Sequence, residues 1–220
     1  DCQSIRYAAC LFLIQRGRQT RLALESGHSA RSKVSRSTMK LVVFTEEYSM
    51  KMVLDALLPA ALPPLVSYQV VPFNGRGDLE SNVERMLRGW NEPDVKFVIV
   101  EDQDNDDCRK RKAHLANLAE RAGKEALVRI ACRELESWYF GDLEAVAAAY
   151  GKPNIVSKYG SKAKYRNPDA IIDVKEELLR IVPEHQQIEG ARKISANMDI
   201  GRNRSRSFQV FFSGVKRLVC

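Results

Sequence analysis

Two periodicities of apolar residues alternate along the chain from residue 41 onward. Four short apolar runs predict strands at 41–45, 68–71, 97–100 and 127–131. Between them, apolar residues spaced at i, i+3, i+4 and i+7 predict helices over 49–58, 78–90 and 107–122. This order of elements predicts an α/β fold: a mostly parallel, Rossmann-like sheet of four strands with helices on both faces.

The remainder of the chain is predicted to be helical. Its capping residues predict three helices: one capped by Asp142, one begun by Asn167 and Pro168, and one introduced by Ser207. The last of these has a stripe of phenylalanines, which is typical of core packing. We therefore predict an α/β core over 39–150 and a helical C-terminal part over 151–220 that packs on it.

Residues 1–38 differ from the rest of the chain. They are rich in Ser and Arg, lack a regular apolar period, and hold seven basic residues against two acidic ones. At Met39 the pattern changes to an initiator-like methionine followed by the first predicted strand. We interpret 1–38 as a basic N-terminal extension that is disordered or not native. A targeting peptide and a basic nucleic-acid-binding arm are the alternatives.

The composition excludes several classes of protein. With 45% hydrophobic and 29% charged residues, the chain is in the globular range. Its longest apolar run, at 8–14, is much shorter than the roughly 20 residues of a membrane-spanning helix. Five cysteines without a CxxC pair argue against a disulfide framework and a structural zinc site, and favour the cytoplasm. Five of the seven units of net positive charge precede Met39, so the net charge of the predicted domain is not evidence for nucleic-acid binding.

Acidic residues follow three of the predicted strands. Glu46 and Glu47 follow the first strand, Asp102 and Asp104 the third, and Glu136 comes soon after the fourth. The carboxyl ends of parallel strands meet at one edge of a sheet, where open α/β proteins bind their ligands. Asp102 and Asp104 can point to the same face of an extended segment and hold Mg²⁺ between them. The alternative is that these acids only solubilise loops and cap helices.

Four segments of the chain carry a family resemblance: Phe-Thr-Glu-Glu-Tyr-Ser-Met-Lys at 44–51, Glu-Asp-Gln-Asp-Asn-Asp-Asp-Cys at 101–108, Glu-Leu-Glu-Ser-Trp-Tyr-Phe-Gly-Asp at 134–142, and Ser-x-Ser-Phe at 205–208. In this order they resemble the bacterial domain-of-unknown-function family 4276, over about 39–218. A strand that ends in Glu and a later strand that ends in Asp-x-Asp also resemble the Toprim domains of topoisomerases, primases and overcoming-lysogenization-defect nucleases.

The resemblance implies a Toprim-like fold with a metal site. Glu46 matches the glutamate of the first strand, Asp102 and Asp104 match the aspartate pair, and Glu136 matches a later acid of the family. These four are the expected catalytic and metal-binding residues, with Mg²⁺ or Mn²⁺ as the cofactor. Asp142 is a secondary candidate.

The chain departs from the Toprim pattern after its first strand. Many Toprim nucleases have Glu-Gly-x-Thr-Glu there, whereas this chain lacks the glycine and the final glutamate. The departure makes Glu47 a second candidate for the functional acid. Relatives of this family resemble proteins that are encoded next to AAA-type ATPases. This chain has no GxxxxGK[ST] stretch, so a separate AAA-type ATPase is an expected partner.

A second group of candidate residues is basic. Between 152 and 166 the chain has five basic residues, two tyrosines and no acid. Lysines neutralise phosphates and tyrosines stack on bases, so this segment and a basic patch around Arg204 predict nucleic-acid binding. The candidate residues are Lys158, Lys162, Lys164, Arg166 and Arg204. A solvated surface loop is the alternative.

These patterns predict a Mg²⁺-dependent nuclease that hydrolyses DNA or RNA within an anti-phage or mobile-element system. DNA is expected over RNA as the nucleic-acid partner. Two alternatives stay open. One is a catalytically inactive Toprim-like module that binds nucleic acid or an ATPase. The other is a metal-dependent phosphohydrolase that acts on nucleotides. No membrane partner is expected.

Overall fold

The central sheet has four strands, all parallel, in the spatial order β2-β1-β3-β4. The strands are β1 (Lys40–Thr45), β2 (Ser67–Pro72), β3 (Val95–Asp102) and β4 (Ala126–Ala131). This computed structural model describes residues 39–220, and the extension expected over 1–38 lies outside the described residues. The predicted α/β, Rossmann-like arrangement is confirmed.

Helices surround the sheet and form the C-terminal part. The helices that connect the strands are α1 (Tyr48–Ala61), α2 (Arg76–Gly89) and α3 (Cys108–Arg121). Those after β4 are α4 (Glu136–Phe140), α5 (Leu143–Ala149), α6 (Asn154–Tyr159), α7 (Val174–Ile181), α8 (Gln187–Ser195) and α9 (Arg206–Val219). Of the helices in residues 39–220, none is long and apolar enough to cross a membrane.

Both faces of the sheet are apolar and covered by helices. On β1, Val42 and Phe44 face the core formed with α2 and α3, whereas Leu41 and Val43 face the opposite core. The opposite core contains α1, the helices after β4 and the phenylalanine stripe of α9. Because both faces are buried, the strands are apolar on consecutive residues, as the sequence indicates.

α1 continues past Pro59, where the sequence predicts its end. Proline has no N–H, so the carbonyl of Asp55, four residues earlier, has no helical donor. The hydroxyl of Tyr68 on β2 donates a hydrogen bond to this carbonyl over 3.3 Å. A tertiary contact thus replaces the missing helical bond, and the last turn of α1 forms.

The helix predicted after Asn167 is divided in the structure. A 3₁₀ turn occupies Pro168–Ala170, and α7 begins only at Val174. Between them, Asp173 has a left-handed backbone with φ of 50°, which interrupts a continuous helix. The short helices α6 and α8 have no counterpart among the predicted elements.

The Ser-x-Ser-Phe segment fixes the start of α9. Ser205, rather than Ser207, caps the helix, since its Oγ accepts the N–H of Phe208 over 3.2 Å. The carboxylate of Asp169 accepts hydrogen bonds from Ser205 Oγ (2.6 Å) and from the N–H of Ser207 (2.7 Å). The indole N–H of Trp138 donates to Ser207 Oγ over 3.0 Å. The Ser-x-Ser-Phe segment therefore joins α9 to α4 and to the 3₁₀ turn before α7.

Candidate active site at the carboxyl edge of the sheet

Asp102 lies at the carboxyl edge of the sheet, and two acidic side chains that follow other strands, Glu46 and Glu136, lie close enough to raise its pKa. Glu46 follows β1, Asp102 ends β3, and Glu136 begins α4 after β4. Because β1 and β4 both pair with β3, the parallel register places their ends on either side of Asp102. We call Glu46, Asp102 and Glu136 the carboxyl cluster.

Glu46 is held against the end of β3. Its Oε2 accepts a hydrogen bond from the backbone N–H of Asp102 over 3.1 Å. Burial raises the pKa of Glu46 to about 7, although this hydrogen bond and the nearby Arg76 guanidinium lower it. The negative charges of Glu101 and Asp104 raise the same pKa further. Glu46 can therefore exchange a proton near neutral pH.

Asp102 is the central member of the cluster. Its side chain is 9% exposed, and its Oδ1 has no hydrogen-bond donor in the described chain. Burial raises the pKa of Asp102 well above its usual range, and the charges of Glu136 and Glu46 raise it further. A hydrogen bond from the backbone of Leu135 lowers the same pKa, so among the described residues only Oδ1 of this carboxyl group is left without a donor.

Glu136 completes the cluster from α4. It is 3% exposed, and its Oε2 likewise has no donor in residues 39–220. Burial raises the pKa of Glu136 to about 7, and the ammonium group of Lys175 opposes the shift. The buried hydroxyl of Tyr139 lies one turn further along α4. Burial raises the pKa of this phenol well above its usual value, and the charges of Glu136 and Asp102 raise it further.

Asp104, which the sequence analysis groups with Asp102, does not join the carboxyl cluster. Its backbone has a left-handed φ of 53°, so the extended segment that would place both side chains on one face ends at Asp102. The Arg76 guanidinium at the start of α2 donates to Asp104 Oδ2 over 2.7 Å and to the carbonyl of Asp102 over 2.9 Å. Asp104 is thus an ion-pair partner of Arg76, although its charge still reaches Glu46.

Glu47, the other candidate after β1, holds two neighbouring elements together. Its carboxylate accepts a hydrogen bond from Ser49 Oγ over 3.2 Å and another from the Gln187 side chain at the start of α8. Its charge also raises the pKa of Asp102 and of Glu136. Glu46, which contacts β3 directly, is therefore the better candidate for the functional acid, with Glu47 beside it.

Asp142 has a structural environment outside the carboxyl cluster. Its Oδ1 accepts the N–H of Ala145 at the start of α5 over 3.1 Å. The guanidinium of Arg202 makes two hydrogen bonds to the same carboxylate, of 2.8 and 2.9 Å, and the N–H of Asp199 adds a third donor at 2.9 Å. With both oxygens occupied, Asp142 joins α5 to the loop before α9.

Lys175 and Glu134 belong to the same edge and were not among the sequence candidates. Lys175 is half-buried on α7, and its ammonium group lies 3.8 Å from Glu134 Oε1. Although burial lowers the pKa of Lys175, the charges of Glu136 and Glu134 raise it above its usual value. Nothing in the spacing of α7 distinguishes Lys175 from an ordinary surface lysine, so only the tertiary fold reveals its position.

The candidate basic residues divide into two groups. Lys158 and Lys162 lie with their ammonium groups 5.2 and 5.0 Å from the ring centroid of Tyr159. Lys164 instead forms an ion pair with Glu177 at 2.7 Å. Arg166 and Arg204 are exposed, and within residues 39–220 neither side chain has an ion-pair partner. Lys152, Lys164, Arg180 and Arg202 do form ion pairs in this region.

The donor chemistry of the carboxyl cluster fits a hard divalent cation. Asp102 Oδ1 and Glu136 Oε2 are buried acceptors without a donor in residues 39–220. Carboxylate oxygens are ligands of Mg²⁺ and Mn²⁺. Among the described residues, however, no three Asp, Glu, His or Cys side chains are arranged to hold a metal ion as they stand. Binding of a cation by all three carboxyl groups therefore requires side-chain rotation.

The family model described as Domain of unknown function (DUF4276) matches residues 45–216, which include the carboxyl cluster and the candidate basic residues. No curated protein and no solved structure matches the chain. The Toprim relationship is not tested by these findings and stays a prediction.

Proposed function

Because the chain belongs to the DUF4276 family, whose description assigns no activity, we propose its function from the site itself: a Mg²⁺- or Mn²⁺-dependent nuclease that hydrolyses the phosphodiester bonds of DNA or RNA. The observation that carries the proposal is the carboxyl cluster, in which two buried carboxyl oxygens have no donor among residues 39–220. Acids with pKa values raised by burial and by like charge are characteristic of functional sites.

The cluster has the residues that metal-dependent phosphodiester hydrolysis requires. Glu46, Asp102 and Glu136 would hold the cation, which supplies positive charge for the phosphate oxygens. One of the two glutamates, Glu46 or Glu136, would accept a proton from the attacking water or return one to the leaving oxygen. The Lys175 ammonium group adds a fixed positive charge at the same edge.

The proposal includes a cellular setting. In the described chain, Cys108, Cys132 and Cys220 are free thiols, which suits the reducing cytoplasm. The chain has no P-loop sequence of its own, so the proposed AAA-type ATPase partner would be a separate protein.

The test is a cleavage assay on the full chain with plasmid DNA and with RNA, in Mg²⁺ or Mn²⁺, with and without an ATPase encoded beside it. Wild-type protein is expected to cleave, and Asp102→Asn is expected to reduce the rate at least 100-fold. Asp106→Asn is the matched control, because Asp106 is an exposed acid of the same loop that pairs with Arg76 at 2.6 Å. Binding without cleavage under every condition would overturn the proposal.

A second candidate function is a catalytically inactive module that binds nucleic acid or an ATPase. The observation that favours it is the ion pair between Asp104 and Arg76, which withdraws one of the expected metal ligands. In the same assay this function predicts binding that is unaffected by Asp102→Asn. Release of phosphate from free nucleotides would instead indicate a phosphohydrolase.

A further inference from the structure

We propose that Lys158, Tyr159, Lys162, Arg166 and Arg204 form a binding surface for single-stranded nucleic acid. We call these residues the lysine–tyrosine surface. The inference rests on the proposed nuclease function, because it assigns the strand that would reach the carboxyl cluster. It adds the location of the bound strand and the preference for unpaired bases.

Within the part of the chain that the structure describes, the four cations of this surface have no ion-pair partner. From 158 to 166 the sequence has no acid, and Lys158, Lys162 and Arg166 are exposed. Lys164, in the same segment, is neutralised by Glu177 and is therefore left out of the surface. A strand of phosphates is attracted by free cations, and cations already paired with carboxylates contribute little.

A groove at the end of α6 places Arg204 near residues 160 and 161. Gly160, Ser161 and Arg204 line a cavity of about 390 Å³ beside the end of α6. Arg202, also at this groove, is engaged by Asp142 and by Glu144, at 2.8 and 3.1 Å. The segment 158–166, through Gly160 and Ser161, thus borders the same groove as Arg204. The acids Asp142 and Glu144 also line this groove and pair with Arg202, and Arg204 has no ion-pair partner among residues 39–220.

Tyr159 gives the surface an aromatic ring that two lysine ammonium groups approach. The ammonium groups of Lys158 and Lys162 lie 5.2 and 5.0 Å from the centre of its ring. An aromatic ring flanked by lysines can stack on a base while the lysines contact the adjoining phosphates. Only unpaired bases expose their faces for such stacking, so the arrangement favours a single strand over a duplex.

The surface is attached to the helix that carries Glu136. The Tyr159 ring contacts the Tyr165 ring edge to face, with centroids 5.5 Å apart. Tyr165, 1% exposed, stacks on Phe140 with centroids 5.6 Å apart and an interplanar angle of 6°. Phe140 ends α4 and Glu136 begins it, a rise of about 6 Å along the helix axis. A strand bound at Tyr159 is therefore held at a defined position relative to the carboxyl cluster.

The test is fluorescence anisotropy with a labelled single-stranded oligonucleotide and the matching duplex, in EDTA so that cleavage does not interfere. For the full chain with Lys158→Ala and Lys162→Ala together, binding of the single strand is expected to weaken at least tenfold, and the slope of log K against log salt to fall by about 1.4. Tyr159→Leu is expected to weaken single-strand binding at least fivefold and duplex binding less, whereas Tyr159→Phe retains both.

Two matched controls accompany these variants. Lys164→Ala removes a lysine of the same segment that is already paired, and Lys112→Ala removes an exposed lysine of α3, which packs on the opposite face of the sheet. Both are expected to bind within twofold of wild type. Equal losses in the controls and in the double variant, or tighter binding of the duplex than of the single strand, would overturn the inference.

The outcome is separable from that of the proposed nuclease function. If the double variant loses single-strand binding while the controls keep it, and neither wild type nor Asp102→Asn cleaves the strand, the nuclease proposal fails and the lysine–tyrosine surface stands. If wild type cleaves and the double variant binds as tightly as wild type, the surface is wrong and the nuclease proposal stands.

Discussion

The backbone N–H of Asp102 donates a hydrogen bond to Oε2 of Glu46 over 3.1 Å, across 56 positions of sequence. The contact joins the ends of β1 and β3, which are neighbours in the sheet. The charge of Glu46 raises the pKa of Asp102, whereas the backbone N–H of Asp102 lowers the pKa of Glu46. The carboxyl cluster is therefore a product of strand pairing, and its electrostatic cost leads to testable consequences.

Asp102→Asn is expected to stabilise the protein and to abolish its response to divalent cations. The amide removes a buried acid whose pKa is raised by burial and by two neighbouring carboxyl groups. In thermal unfolding at pH 8, the melting temperature of wild type is expected to rise with millimolar Mn²⁺ and that of the variant to stay constant. Asp106→Asn is the control; an equal rise in all three proteins would show that the cation binds elsewhere.

Glu136→Gln is expected to flatten the dependence of stability on pH. Because the pKa of Glu136 is raised to about 7 in the folded protein from about 4.5, the folded state binds the extra proton between these values. The stability of wild type therefore falls as pH rises from 4.5 to 7, and the cost is absent below that window. We expect the variant to be more stable by about 1–3 kcal/mol at pH 8 and equal at pH 4.

Urea unfolding across this pH range measures the effect of Glu136→Gln. Glu120→Gln, an exposed glutamate of α3, is the control and is expected to follow the wild-type profile. A gain in stability that is the same at pH 4 and pH 8 would contradict the electrostatic explanation.

Lys175→Met is expected to destabilise the protein by about 0.5–1 kcal/mol at pH 8 and by less at pH 5, because solvent screens a lysine side chain that is 39% exposed. Methionine keeps much of the side-chain volume and removes the cation that faces Glu134 and Glu136. At pH 5 the Glu136 carboxyl group holds its proton, so the lysine has less charge to compensate. Lys175→Arg keeps the charge and is expected to retain most of the stability. Urea unfolding that shows equal losses at both pH values would indicate a packing effect instead.

Arg111→Met is expected to cost about 3–5 kcal/mol, because it leaves a buried charge without its main partner. Glu101 is 0% exposed and makes hydrogen bonds of 2.8 and 3.0 Å to Arg111, with Arg76 at 3.5 Å. Adding Glu101→Gln to the variant removes the charge and is expected to recover part of the loss. A double variant that is no more stable than Arg111→Met in urea would contradict this account.

Much of the fold follows from local patterns in the sequence. The spacing of apolar residues in α2 and α3 identifies each helix, because a repeat of 3.6 residues directs one stripe toward the core. The prediction is wrong where a distant group intervenes, as at Pro59, whose missing helical bond is replaced by the Tyr68 hydroxyl.

The candidate site could be predicted only in part. Glu46, Asp102 and Glu136 follow buried strands, and parallel pairing brings strand ends together, so their proximity follows from the order of elements. Asp104 has the same placement in sequence, but Arg76 from α2 pairs with it. Lys175 lies near Glu134 and Glu136 at this edge although it belongs to α7. The residue spacing of α7 does not predict this contact.

By itself, the sequence determined the four strands, the three helices that connect them and the acids that stand at strand ends, because these depend on periodicity and on near neighbours along the chain. The tertiary structure decided which of those acids share one environment, which are paired, and which cation faces them. Burial and Coulomb interactions act between side chains that are close in space, and in this protein Glu46, Asp102, Glu136 and Lys175 come from four different segments.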